Sequence, residues 1–200
     1  MQIEYFTNAI RIDIEYAGTY NNRGVAYYMK GEYDRAIRDY NKAIESNPDY
    51  AKAYNGRGVA YEKKGEHDRA IKDYSKAIEL NPKYADAYYN RGIAYADKDD
   101  YNSAIYDYTK AIQINPQDAF AYYDRGLAYG IKGDYNSAIY DYTKAIQINP
   151  ELALAYEGLA LAYCGRGFAY EKLGHCYKAN ADYKKACELG LEKACSYKCY

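Results

Sequence analysis

Tryptophan is absent from these 200 residues and phenylalanine occurs 3 times, so the aromatic content rests on 31 tyrosines. A tyrosine can bury its ring while its hydroxyl stays wet, which suits thin two-layer packing better than a thick apolar core. One-sided charge is missing too: 27 Lys and Arg face 28 Asp and Glu, a net charge of −1. No field steers the chain toward nucleic acid or anionic lipid. No apolar run is long enough to span a bilayer, and the opening residues hold no signal-peptide core. Proline is scarce, with 4 copies, and cysteine does not occur before Cys164. No Cys-x-x-Cys, no serine in a nucleophile elbow and no glycine-rich phosphate loop is present, so metal, acyl-transfer and nucleotide chemistry lack their usual signatures. The two histidines, His67 and His175, read as structural. Scattered carboxylates form no acid/base pair.

What the chain does have is a five-residue phrase that returns. Arg-Gly-x-Ala-Tyr stands at 23–27, 57–61, 91–95, 125–129 and 166–170. Gly24, Gly58, Gly92 and Gly126 are 34 residues apart, and Gly167 follows after 41. A fixed period of this size marks a stack of like units, each touching only its neighbours. With Gly24 as repeat position 8, Tyr recurs at positions 4, 11 and 24, and Ala at 20 and 27. Positions 4, 8 and 11 share one helical face, as do 20, 24 and 27. Gly31, Gly65 and Gly133 fall between the two helical halves, where a C-cap needs positive φ. Each second half closes on Asn-Pro, at 47–48, 81–82, 115–116 and 149–150, since proline ends one helix and tolerates the first turn of the next.

This pattern resembles the tetratricopeptide repeat, a helix–turn–helix unit. The resemblance implies an all-α, right-handed superhelical solenoid of antiparallel helix pairs. The departures are Tyr for Trp at position 4, Arg for Leu at position 7, and Asp99 for the turn glycine of the third repeat. The expected units are 17–50, 51–84, 85–118 and 119–152, with a variant unit at 153–193. Residues 1–16 read as the second helix of a truncated repeat, because Phe6, Ala9 and Ile10 stand 34 before Tyr40, Ala43 and Ile44. Residues 194–200 read as the start of another, so the chain looks like a piece of a longer array with apolar ends. Residues 100–116 and 134–150 are identical, as a recent duplication leaves them. The extra seven residues of the fifth unit amount to about two turns and displace the helical face by only ~20°. One long helix is therefore expected from about Leu152 to Lys172, with a break near Gly165 as the rival outcome.

Arg23, Arg57, Arg91, Arg125 and Arg166 occupy position 7, and Asp39, Asp73, Asp107, Asp141 and Asp182 occupy position 23. In a hairpin turning near position 15 these lie opposite one another, which predicts structural ion pairs in preference to a phosphate-binding Arg ladder. In the tetratricopeptide fold the first helices line a concave groove. The residues carried there by the resemblance are Asn21, Val25, Asn55, Val59, Tyr89, Asn90, Ile93, Tyr123, Asp124 and Leu127. Asn amides can hold an extended peptide backbone, and the apolar stripe can bury side chains; packing between neighbouring helices is the competing use of that stripe. The carboxylate-clamp subgroup grips acidic chaperone tails with Asn at position 9. Val25 and Val59 stand there instead, which argues against that ligand.

The segment at 186–195 resembles the cysteine-rich, Sel-like relatives of this repeat. That resemblance implies a Cys187–Cys195 disulfide; reduced, buried thiols are the alternative. Five cysteines leave at least one thiol over, and their clustering leans toward an oxidising compartment. No cofactor and no metal are expected. The resulting expectation is a non-enzymatic scaffold for a protein or peptide partner. The alternatives are self-association as a homo-oligomer through the long helix and the ends, and, third, a single-stranded nucleic-acid binder stacking bases on Tyr89 and Tyr123. Without a basic groove, neither nucleic acid nor membrane is an expected partner.

Overall fold

A computed structural model describes residues 3, 4, 6, 7, 16–148 and 155–200. The chain divides into two units, Met1–Asp100 and Tyr101–Tyr200, each taken by itself. The first unit contains α1 (Ala17–Met29), α2 (Tyr33–Ser46), α3 (Ala51–Lys63), α4 (His67–Leu80) and α5 (Ala85–Ala96). The second contains α6 (Tyr101–Ile114), α7 (Ala119–Ile131), α8 (Tyr135–Ile148), α9 (Ala155–Lys172), α10 (Cys176–Glu188) and a 3-10 turn, Glu192–Ser196. In each unit consecutive helices pack as antiparallel pairs, and alternate first helices also touch: α1 with α3, α3 with α5, and α7 with α9. Each unit is therefore an all-α stack of helix pairs. Ile3, Glu4, Phe6 and Thr7 are helical, while Ala9, Ile10 and Ile14, which carry much of the register proposed for residues 1–16, lie outside the described residues.

The turns between paired helices are built one way. The N–H of Glu32 donates to the carbonyl of Tyr27, and Glu66, Asp100, Asp134 and His175 donate likewise to Tyr61, Tyr95, Tyr129 and Tyr170. This six-residue closure places the residue before the donor at positive φ. Glycine supplies it at Gly133 (φ 81°), whereas Asp99 carries the same conformation at φ 60° with a side chain attached. The joints between repeats use the asparagine as well as the proline. The side-chain oxygens of Asn47, Asn81 and Asn115 accept from the N–H groups of Asp49, Lys83 and Gln117. Proline has no N–H to offer, so the asparagine bonds the donor one residue further on and fixes the turn. Asn149 and Pro150 lie outside the described residues.

The core is made of alanine and tyrosine. Ala36, Ala70, Ala104, Ala138 and Ala179 are wholly buried at position 20, as are Ala53, Ala87 and Ala121 at position 3. Tyr40, Tyr74, Tyr108, Tyr142 and Tyr183 at position 24 are the large buried side chains, none more than 3% exposed. The rings of Tyr40, Tyr74, Tyr142 and Tyr183 lie where a neighbouring helix has glycine. A Cβ on Gly24 would meet the Tyr40 ring at 2.8 Å, and one on Gly56 of the next repeat would meet the same ring at 2.7 Å. Gly126 and Gly165 flank Tyr142 in the same way.

Through the insertion the helix runs unbroken. α9 is one helix of 18 residues, and Gly165 lies inside it; residues 152–154 lie outside the described residues. Helix propensity counts Gly165 as a weakness, yet the Tyr142 ring stands 2.7 Å from where its Cβ would be. Gly130 in α7 has nothing closer than 3.9 Å. Alanine at the two positions should therefore act with opposite signs. Gly130→Ala should gain up to about 1 kcal/mol, whereas Gly165→Ala should lower stability despite the better propensity. Thermal unfolding followed by circular dichroism separates these outcomes, and a gain at both positions would contradict the packing given for Tyr142.

Candidate partner-binding surface and the contacts behind it

Position 7 ties three helices together. Arg23 donates from Nε and Nη2 to the two carboxylate oxygens of Asp39, both at 2.7 Å. Arg57 with Asp73, and Arg125 with Asp141, repeat this fork at the same distances. Arg166 does so with Asp182 at 2.8 and 2.7 Å. The remaining nitrogen, Nη1, reaches back to the preceding repeat: to Thr7, Asn41, Ser75, Thr109 and Thr143 from Arg23, Arg57, Arg91, Arg125 and Arg166. The guanidinium groups also lie against tyrosine rings at positions 4 and 11, such as Tyr20 and Tyr27 around Arg23 and Tyr163 and Tyr170 around Arg166. In the fifth unit the position-4 contact thus goes to Tyr163, after the insertion. The carboxylates are deeply placed: Asp107 is 0% and Asp141 1% exposed. Burial pushes the Asp141 carboxyl up, and the Arg125 fork pulls it back. These arginines are occupied within the array and form no free phosphate ladder.

The residues proposed for the groove fall into two sets. In the first unit Asn21 is buried, Val25 is 44% exposed, and Asn55, Val59, Tyr89, Asn90 and Ile93 are half-buried. Asn90 Nδ2 donates to Asn55 Oδ1 at 3.1 Å, joining α5 to α3. Val59 packs against Ala70 and Tyr74. In the second unit Leu127 is 44% exposed and Tyr123 and Asp124 are half-buried, the Tyr123 ring lying 5.7 Å from that of Tyr142. The stripe is therefore divided: Val59 joins the core, whereas Val25 and Leu127 face solvent.

A polar cluster sits at the turn of the second repeat. Nδ1 of His67 and Oε1 of Glu62 are 2.6 Å apart, and donor atoms of Glu62, His67 and Asp97 all lie within 4.8 Å of one another. Burial pushes the Glu62 carboxyl up; His67 opposes that shift and Asp97 adds to it. Sequence reasoning passed over this group. Its one signal was His67 in the place held by Tyr33, Tyr101 and Tyr135 in the other repeats.

At the far end Cys187 and Cys195 are bridged, with Cα atoms 4.9 Å apart, and so are Cys176 and Cys199, also at 4.9 Å. The second bridge had no sequence signal, because it depends on the tail turning back along α10. Asn180 holds that tail through both its amide nitrogen and oxygen to the backbone of Cys199. Tyr197 lays its ring against Phe168 and Tyr183. Cys164 is unbridged and buried, and burial pushes its thiol up.

Comparison with known proteins gives a consistent picture. The tetratricopeptide repeat model matches residues 51–84, 85–118 and 119–152, and a second TPR repeat model matches 26–65. The crystal structure of MamA protein is similar over 91% of this chain and 96% of its own, at 34% identity and a TM-score of 0.77. That of YrrB, described as a TPR protein with an unusual peptide-binding site, matches over 96% and 97% at 25% identity and a TM-score of 0.78. MamA from Desulfovibrio magneticus RS-1 shares the fold at 23% identity and a TM-score of 0.76, over 90% and 97% of the two chains. No curated protein sequence matches significantly.

Two outcomes check these contacts. Asp141→Ala, which strands the Arg125 guanidinium, should lower stability by about 3–5 kcal/mol. Replacing both partners, Arg125→Met with Asp141→Leu, should cost much less, as read from guanidinium chloride transitions. The thiol count is the second outcome. Without reductant, iodoacetamide should leave the native chain unlabelled, add one group after denaturation, and add five after denaturation and reduction.

Proposed function

The chain belongs to the tetratricopeptide repeat family, and from that membership we propose that it is a non-enzymatic scaffold that holds a protein or peptide segment along its first helices. The observation that carries this reading is the solvent-facing apolar side chain at position 9: Val25 and Leu127 are each 44% exposed on helices otherwise packed on their neighbours. Half-buried Asn55 and Asn90 lie on the first helices of the next two repeats, α3 and α5, and half-buried Tyr123 and Asp124 share α7 with Leu127; these are polar neighbours for a peptide backbone. The similarity to YrrB, with its peptide-binding site, supports the same use. No helix among the described residues is long and apolar enough to cross a membrane.

Self-association is the second reading. It draws on α9, whose 18 residues exceed the 12–14 of the helices before it, and on exposed Phe168. The Cys187–Cys195 bridge supports the finer likeness of residues 186–195 to Sel-like segments, and two bridges support folding in an oxidising compartment. Peptides selected from a displayed library on the wild-type chain should lose at least about tenfold in affinity with Val25→Glu or Leu127→Glu, because a buried unpaired charge costs well over 1.4 kcal/mol. Tyr177→Glu, at a 90% exposed site, should leave them unchanged. Equal retention by all three variants would remove the groove reading. Light scattering that shows a dimer abolished by substitution of Phe168 would favour self-association.

A further inference from the structure

We propose that Glu62, His67 and Asp97 form a site for one borderline divalent cation, Zn2+ by preference, at the junction of the second and third repeats. The three residues come from three helices. Glu62 lies in the last turn of α3, His67 opens α4, and Asp97 caps α5. One donor atom from each already lies within 4.8 Å of the others, with no ion needed to gather them. Tetrahedral Zn2+ with bonds of about 2.0–2.2 Å needs donors about 3.4 Å apart, within about 1.5 Å of the separations already present. An imidazole with two carboxylates is a nitrogen–oxygen set that suits Zn2+ better than Mg2+ or Ca2+, and it leaves a fourth position open.

Two further observations point to a ligand. Oε2 of Glu62 is buried and has no hydrogen-bond partner, and the side chain as a whole is only 14% exposed. Its acidic neighbour, Asp97, is another acceptor, so either a cation or a shared proton must satisfy the pair. The second observation is the contrast between repeats. Where the second repeat has Glu62 and His67, the first has Tyr28 and Tyr33, whose rings meet at a tilt with centroids 5.6 Å apart. Packing is served by that aromatic pair; placing a carboxylate there costs desolvation that packing does not return. The ammonium groups adjacent in sequence are engaged elsewhere, Lys98 on Asp68 and Lys64 on Asp34 and Glu66.

The test is Zn2+ binding to the untagged, disulfide-intact chain, measured by competition with a chromophoric chelator, with Co2+ absorbance as a second readout. One equivalent should bind to the wild type and raise its unfolding temperature. His67→Tyr restores the residue of Tyr33, Tyr101 and Tyr135, so it should fold with native helicity and bind about 100-fold more weakly. Asp97→Asn should weaken binding about tenfold. Equal affinity in the wild type and His67→Tyr would overturn the proposal. So would a wild-type chain that binds no Zn2+, which would leave the Glu62 carboxyl to a proton shared with Asp97.

Discussion

A buried carboxylate needs company, and the molecule is arranged to supply it. Asp at position 23 sits in the seam between the two helices of its own repeat, where leaving it unpaired would cost several kcal/mol. Arginine from the facing helix satisfies both oxygens at once, as Arg125 does for Asp141. That fork uses two of the guanidinium's three nitrogens. The third goes to a hydroxyl or amide one repeat back, Thr109 in this case. One charge therefore sets the register within a hairpin and between hairpins. The net energy of such a group need not be large; its consequence is specificity, because slipping either helix would strand a charge.

The same seam explains the amino-acid budget. Alanine at positions 3, 10, 20 and 27 lets the helices approach, and the ring at position 24 fills what remains. Glycine is then required opposite such a ring, as Gly24 and Gly56 are for Tyr40. Tyrosine suits this place because its long ring spans a thin layer. Its hydroxyl can find a polar partner at the edge, as Tyr183 does in donating to Glu171. On the first helices, Val25 and Leu127 at position 9 stay outside these packed faces, each 44% exposed.

The repeat, the turn positions and the Arg–Asp pairing were legible because each is periodic. A residue that recurs in every repeat reports its environment once per copy, and matched positions on facing helices can be paired from spacing alone. Several features that occur once were not legible. Gly165 reads as a flaw in a helix until Tyr142 is seen against it. His67 reads as a substituted tyrosine until Asp97, thirty residues away, is brought beside it. Val59 and Val25 hold the same repeat position, yet one joins the core and the other faces solvent.

By itself the sequence determined the unit, its period, the place of each turn and the residues that pair across each hairpin, since these follow from spacing along a single helix or a single turn. Tertiary structure alone decided which glycine a ring rests on, which stripe residues stay exposed, how the tail returns to join Cys199 to Cys176, and which acids gather around His67. Those contacts join segments whose approach is set by how one hairpin stacks on the next, and no local rule of spacing carries that distance.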